Sequence, residues 1–350
     1  MVRRVAFAVP GDLATPTGGY AYARRIIAEL PRLGWQVDVV GLGEGFPHPT
    51  AAQKAFARKQ LAAVAKGRPL VVDGLAFGVL PQIAVKLRDH HPLIALVHHP
   101  LALETGVSPK KAEALRISER TALAPTHAVI TSSTSMARVL AGDYGVEADR
   151  ITVAPPGTER AVPAVGSSDG IVRLVSVGAV VPRKGFDVLI AALSELSELP
   201  WRLTIAGDRN RDAATAARLD DDIARHSLGE RVAVLGAVAP ERVTDLYRSA
   251  DLFVLASHLE GYGMAFAEAI AHGLPVIGTT GGAIPETVPK AAGVLVPPGD
   301  VAALAAALRR LIENSAERQR FAAGARAAGT KLPTWNESAR LFAGAIEAVA

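Results

Sequence analysis

Short apolar runs alternate with longer amphipathic ones along nearly the whole chain, and the alternation occurs twice. In the first half the strand-like runs are 5–9, 36–42, 70–73, 93–98 and 128–131, with helical patterns near 20–30, 51–66, 80–89, 109–124 and 134–141. In the second half they are 173–177, 202–206, 232–235, 252–256, 275–278 and 293–296, with helices near 185–199, 211–226, 240–249, 263–272 and 300–313. Strand, helix, strand throughout predicts parallel sheets covered by helices on both faces. The two halves meet at 154–170, A-P-P-G-T-E-R-A-V-P-A-V-G-S-S-D-G, which has the composition of a linker. The expected architecture is α/β, two Rossmann-like doubly wound domains facing across a cleft. The first occupies 1–160 and the second 161–334, with the helical segment 335–350 packing back on the first. A length of 350 residues fits two such domains.

Composition narrows the function. Hydrophobic residues make up 49% and charged ones 21%, enough apolar material for two cores. There is no cysteine, hence no disulfide framework, no thiolate zinc site and no cysteine nucleophile, as suits a reducing cytoplasm. Arginines precede an apolar run at the N-terminus, but that run ends at Pro10, too short for a signal segment, and reads as a buried strand. No stretch approaches the ~20 apolar residues of a membrane span, so a cytoplasmic protein is expected. Residues 1–165 hold 19 Lys and Arg against 13 Asp and Glu, and 166–350 hold 19 against 21. The first half is thus +6 and the second −2. Beside a merely solvated basic surface, this asymmetry suits an anionic acceptor or peripheral contact with an anionic membrane face. Nucleic acid is not expected, for lack of a long basic tract and of stacking aromatics.

Ligands of doubly wound sheets lie beyond the carboxyl ends of the strands. In the second half, E-G-Y-G-M-A-F-A-E places Glu260 and Glu268 around a glycine turn between a strand and a helix. The amides at Gly261, Tyr262, Gly263 and Met264 suit a phosphate at the helix start, and the two carboxylates suit hydroxyls. Earlier, V-G-A-V-V-P-R-K-G sets Arg183 and Lys184 at another helix start. Cations there are unfavourable without an anion, because the helix end is already positive. In the first half, Gly18 and Gly19 open the first helix, and His98-His99-Pro100 closes a strand. Either histidine suits a hydrogen bond to a sugar hydroxyl.

Other chemistries fit less well. The glycine spacing of a dinucleotide fingerprint and the Walker loop are absent, and no histidine pair has metal-ligand spacing, so neither a cofactor nor a metal is expected. Asp220–Asp222 falls mid-helix, where a solvated face is the simpler reading. Glycosidase carboxyls sit about 5–5.5 or 6.5–9.5 Å apart, whereas eight helical steps span about 12 Å, although a turn at 261–263 shortens that distance.

These stretches together resemble the retaining glycosyltransferases of family 4 (glycosyltransferase group 1), whose fold is the two-domain GT-B type. The resemblance covers nearly the whole chain and rests on G-x-V-x-P-R-K-G at 178–185, I-A-G-D at 205–208, the glutamate motif continuing as H-G-L-P-V-I-G to 278, G-G-A-I-P-E at 281–286 and G-V-L-V-P-P-G-D at 293–300. It implies transfer of a sugar from a nucleoside-diphosphate sugar to a hydroxyl acceptor with retention and without a metal. It also implies roles: Glu260 by the transferred sugar, Glu268 on the ribose hydroxyls, Lys184 on the diphosphate, and His98, with His99 as the alternative, on the donor sugar. Gly18 and Gly19 match the family's first-loop glycines. Where the family usually has arginine, this chain has Ala179, and Arg183 is the nearby substitute. A nucleotide-sugar 2-epimerase of the same fold and a protein that only binds nucleotide sugars are the competing expectations.

Overall fold

The computed structural model describes residues 3–350, which form two compact units: Met1–Gly157 with Pro333–Ala350, and Thr158–Leu332. The first unit carries strands β1 (Arg3–Val9), β2 (Trp35–Gly41), β3 (Leu70–Asp73), β4 (Leu93–Val97), β5 (Ala128–Thr131) and β6 (Ile151–Val153). They form one sheet in the order β2-β1-β3-β4-β5-β6, every pairing parallel. Central strands β3, β4 and β5 are buried along their whole length, as continuous apolar runs covered on both faces must be. The chain order reverses direction between β1 and β3, and the loops after these strands diverge there.

The second unit repeats the design with β7 (Val172–Val177), β8 (Trp201–Ala206), β9 (Val232–Val234), β10 (Leu252–Val254), β11 (Val276–Thr279) and β12 (Gly293–Val296). Their order is β12-β11-β10-β7-β8-β9, again all parallel, with the switch between β7 and β10. Its core joins Phe186, Trp201, Phe253 and Phe266 to aliphatic residues of every strand.

The C-terminal helix Trp335–Glu347 belongs to the first unit. It opens with a capping box, Thr334 with Glu337, and lays Phe342 on Phe7 with ring centres 5.8 Å apart. Tyr22, on the helix Gly18–Glu29, meets Trp335 edge to face at 6.0 Å. Residues 154–170 carry no helix or strand.

All eleven strands expected from the sequence are present, and β6 is an addition. Its three half-buried residues directly precede the Pro- and Gly-rich segment, too short for a period to show. The helix expected over 185–199 spans only Phe186–Ser194, because the chain turns after Glu195 to reach β8. Among the described residues no helix is long and apolar enough to cross a membrane.

Candidate active site

Two loops meet at the switch point of the second sheet, one after β7 and one after β10. The first runs through Gly178 and the 3-10 turn Pro182–Lys184 to the helix Phe186–Ser194. Gly185 makes the junction with φ +62°, where a Cβ would collide with the carbonyl of Ala256 in the second loop. Glycine is therefore what lets the loops pack. The His258 amide then donates to the Arg183 carbonyl at 2.8 Å, and Nη1 of Arg183 donates to the Leu259 carbonyl at 2.7 Å.

Glu260 is the centre of this lacing. Its Oε1 accepts from Lys184 Nζ and from Ser257 Oγ, both at 2.6 Å, and its Oε2 accepts from Arg183 at 3.2 Å. The backbone is gripped from a third segment: Glu260 pairs with Gly282, and the Ala283 amide donates to the Glu260 carbonyl at 2.9 Å. The residue is only 7% exposed. Burial pushes its pKa up, but the charges of Lys184 and Arg183 and the hydrogen bonds from Lys184 and Ser257 outweigh that and hold it at about 2. Glu260 is thus a fixed anion at neutral pH.

Gly263 opens the helix Met264–Ala271 in the left-handed region, φ +93°, with no side chain capping the helix. The first-turn amides at 263–264 stand a few residues from Glu260, and Glu268 follows on the same helix. Glu268 is part-buried, and its Oε2 accepts from the Tyr247 hydroxyl at 3.1 Å. Burial pushes its carboxyl up, against the opposing Tyr247 hydrogen bond and the Lys184 charge. Lys184 therefore acts on both glutamates. The Tyr262 carbonyl accepts from Thr287 at 2.5 Å, which fixes the turn between them. The stem of Lys184 lies against Gly178, where a Cβ would come within 3.2 Å of its Cε.

The first unit holds a separate group of predicted residues. Thr17 caps the helix begun by Gly18 and Gly19, accepting from the Tyr20 amide. His98 follows β4, and its ring stands edge-on to Tyr22 with centres 5.2 Å apart. A Cβ on Gly19 would lie 3.2 Å from His98 Cδ2 and 3.4 Å from Nε2, so this glycine makes room for the imidazole. Nε2 of His98 is buried and has no hydrogen-bond partner. Burial, and then the neighbouring His99, lower its pKa to about 4, so the ring is neutral. His99 instead faces Glu104, Nε2 to Oε2 at 3.2 Å. The two histidines are thus distinct, and His98, the better match from the sequence, is the one beside Gly19.

Within the second unit, then, Arg183, Lys184, Gly261–Met264, Glu260 and Glu268 come together, while Gly18, Gly19 and His98 gather in the first. Ser257 and Tyr247 were missed by sequence reasoning. Ser257, three residues before Glu260, is a signal that was available; Tyr247 lies in a distant helix and nothing local marks it. Among the described residues, no group of three or more His, Asp or Glu could hold a metal.

The family described as Glycosyl transferases group 1 matches residues 158–328, and Glycosyltransferase Family 4 matches 16–161. D-inositol 3-phosphate glycosyltransferase of Xylanimonas cellulosilytica is 34% identical over 242 residues, 64% of this chain and 57% of that protein. Mannosylfructose-phosphate synthase of Agrobacterium fabrum is 31% identical over 173 residues, 45% of this chain and 38% of that protein. The chain thus spans about half the length of the curated relatives it matches, or less. Among solved structures, sucrose-phosphate synthase of Thermosynechococcus elongatus superposes with a TM-score of 0.83 at 20% identity, over 99% of both chains. Anabaena HepE in complex with UDP and glucose gives 0.74 at 19% identity, over 98% of this chain and 99% of that one. Both show the same fold. With two family matches that together run from residue 16 to 328, the chain belongs to the group 1 glycosyl transferases, built on the GT-B fold.

Proposed function

We propose that the protein transfers a sugar from a nucleoside-diphosphate sugar to a hydroxyl acceptor with retention of anomeric configuration. The observation that carries this is the Glu260–Lys184–Arg183 group beside the uncapped helix start at Gly263, with Glu268 further along that same helix. A fixed carboxylate suits sugar hydroxyls, and paired cations with helix amides suit a diphosphate. In the proposed reaction the bond from the anomeric carbon to the phosphate oxygen breaks. The acceptor oxygen bonds to that carbon on the same face, and its proton passes to the departing diphosphate. Lys184, Arg183 and the helix amides take up the growing negative charge, which Ala179 cannot do. This assigns the charge-stabilising work to side chains and requires no metal. Glu260 orients the sugar and Glu268 binds the ribose. The unpartnered Nε2 of His98 suits a hydrogen bond to a sugar hydroxyl.

Solved neighbours bound to UDP make a uridine nucleotide the donor to try first, and relatives named for inositol 3-phosphate make a phosphorylated polyol the first acceptor. The acceptor and any contact with an anionic membrane belong to the basic first half. A thermal-shift panel of UDP-, GDP- and ADP-sugars in EDTA tests the reading, since a ligand stabilises by RT ln(1 + [L]/Kd). A shift with one donor class, followed by transfer to an acceptor without metal, is the expected result. Donor binding with no transfer to any acceptor would favour a binding-only protein, and interconversion of donor sugars a 2-epimerase.

A further inference from the structure

Tyr247 is nearly fully buried in the last turn of the helix Pro240–Ser249, far from the glutamate motif in sequence. Its hydroxyl donates to Glu268 Oε2 at 3.1 Å and lies 3.3 Å from the Ala265 carbonyl, one turn earlier on the helix that carries Glu268. Burial and the Glu268 charge keep the phenol protonated, so it is a donor at any physiological pH. The ring cannot swing away. It stacks on His272 with centres 5.2 Å apart and an interplanar angle of 22°, and Phe253 stands at 6.1 Å. His272 is itself tied down, its Nδ1 to the Val162 carbonyl at 2.9 Å and its own carbonyl to the Ala164 amide at 2.8 Å.

A buried phenol needs one acceptor, and the Ala265 carbonyl alone would serve for folding. The shorter contact instead goes to a carboxylate that the proposed function places on the ribose. Holding Oε2 from behind fixes the carboxylate plane and leaves Oε1 without a hydrogen bond among the described residues. That oxygen is free to accept from a vicinal diol.

We infer that Tyr247 is a positioning residue for Glu268, backed by His272, and that it sets the protein's preference for nucleotides with an intact ribose diol. The inference rests on the reading of Glu268 given above. It predicts an effect confined to the diol, which a packing role would not produce.

The test is calorimetric titration of the tightest binder among UDP, GDP and ADP, and of its 2′,3′-dideoxy analogue. The proteins are wild type, Tyr247→Phe, Glu268→Ala and the double variant. Tyr247→Phe is expected to weaken the ribonucleotide about 10- to 150-fold, the range for losing one hydrogen bond to a charged group. The dideoxy analogue should change by less than about twofold, and the substitution should add nothing measurable in the Glu268→Ala background. Tyr247→Leu, which also lacks the hydroxyl, carries the same prediction if Tyr247→Phe does not fold. Equal weakening of both nucleotides, or no weakening of either, overturns the inference while leaving donor binding intact. A wild type that binds none of the three diphosphates overturns the donor reading and this inference together.

Discussion

Glu260 in the second unit and His98 in the first are both held at the carboxyl end of a strand, and their surroundings differ in kind. Glu260 accepts three side-chain hydrogen bonds, two of them from cations, before any ligand arrives. His98 has a buried ring nitrogen with none. The difference follows from charge. A carboxylate taken out of water costs several kcal/mol unless it is paired, so an ionised Glu260 is possible only inside a finished network. A neutral imidazole leaves one polar atom unsatisfied for about 1–3 kcal/mol, a cost that a substrate hydroxyl would recover. The second unit is thus preorganised electrostatically, and the first keeps an open hydrogen-bonding position.

Substitution at each centre can break this contrast. The largest effect belongs to Glu260→Ala, expected to lower turnover by ~10²-fold or more through lost alignment of the sugar, measured as initial rate at saturating donor. Near-normal turnover would remove Glu260 from the site. The same change takes the counter-charge from two mostly buried cations, and should cost about 3–5 kcal/mol of stability in denaturant melts without nucleotide.

His98→Phe should behave oppositely. It fills the same space beside Tyr22 and removes the orphaned nitrogen, so stability is unchanged or raised, while turnover falls by roughly tenfold, the loss of one hydrogen bond. A drop in Tm with full activity would reverse the contrast.

Acid sharpens the comparison further. The folded pKa of Glu260, about 2, lies below its ordinary value of 4.5, so its contribution is present above pH 4.5 and lost as pH falls toward 2. His98 has a folded pKa of about 4 against 6.5, so the unfolded chain takes up its proton first and stability declines as pH falls from 6.5 toward 4. Each shift corresponds to a few kcal/mol, on the order of 3. The pKa values of His91, His127 and His272 are likewise lowered by burial, so stability followed from pH 7 to 3 should show a shallower upper slope in His98→Phe than in Glu260→Gln. An upper slope as steep in His98→Phe as in wild type would contradict the assignment.

Much of this was legible in the sequence because parallel strands buried on both faces read as uninterrupted apolar runs, and β3, β4 and β5 are such runs. The strand that escaped, β6, has three half-buried residues and no pattern to read. Glu260, Lys184 and Gly263 were legible because glycines and charges at strand-to-helix junctions have few structural uses. Tyr247 was not, since a tyrosine on the buried face of an amphipathic helix looks like core until its hydroxyl is seen on Glu268. Sequence favoured His98 over His99 without a physical reason for the choice. That distinction arises where Gly19, from a helix nearly eighty residues earlier, meets one ring and not the other.

Lys184 must reach a donor diphosphate while it holds Glu260. Titration of UDP, GDP and ADP into wild type and Lys184→Ala tests this directly. The best wild-type ligand should bind about 10- to 100-fold more weakly to the variant, as expected for losing a charge-assisted contact. The corresponding nucleoside, lacking phosphates, should bind both equally. Equal diphosphate affinity in the two proteins would contradict the central claim.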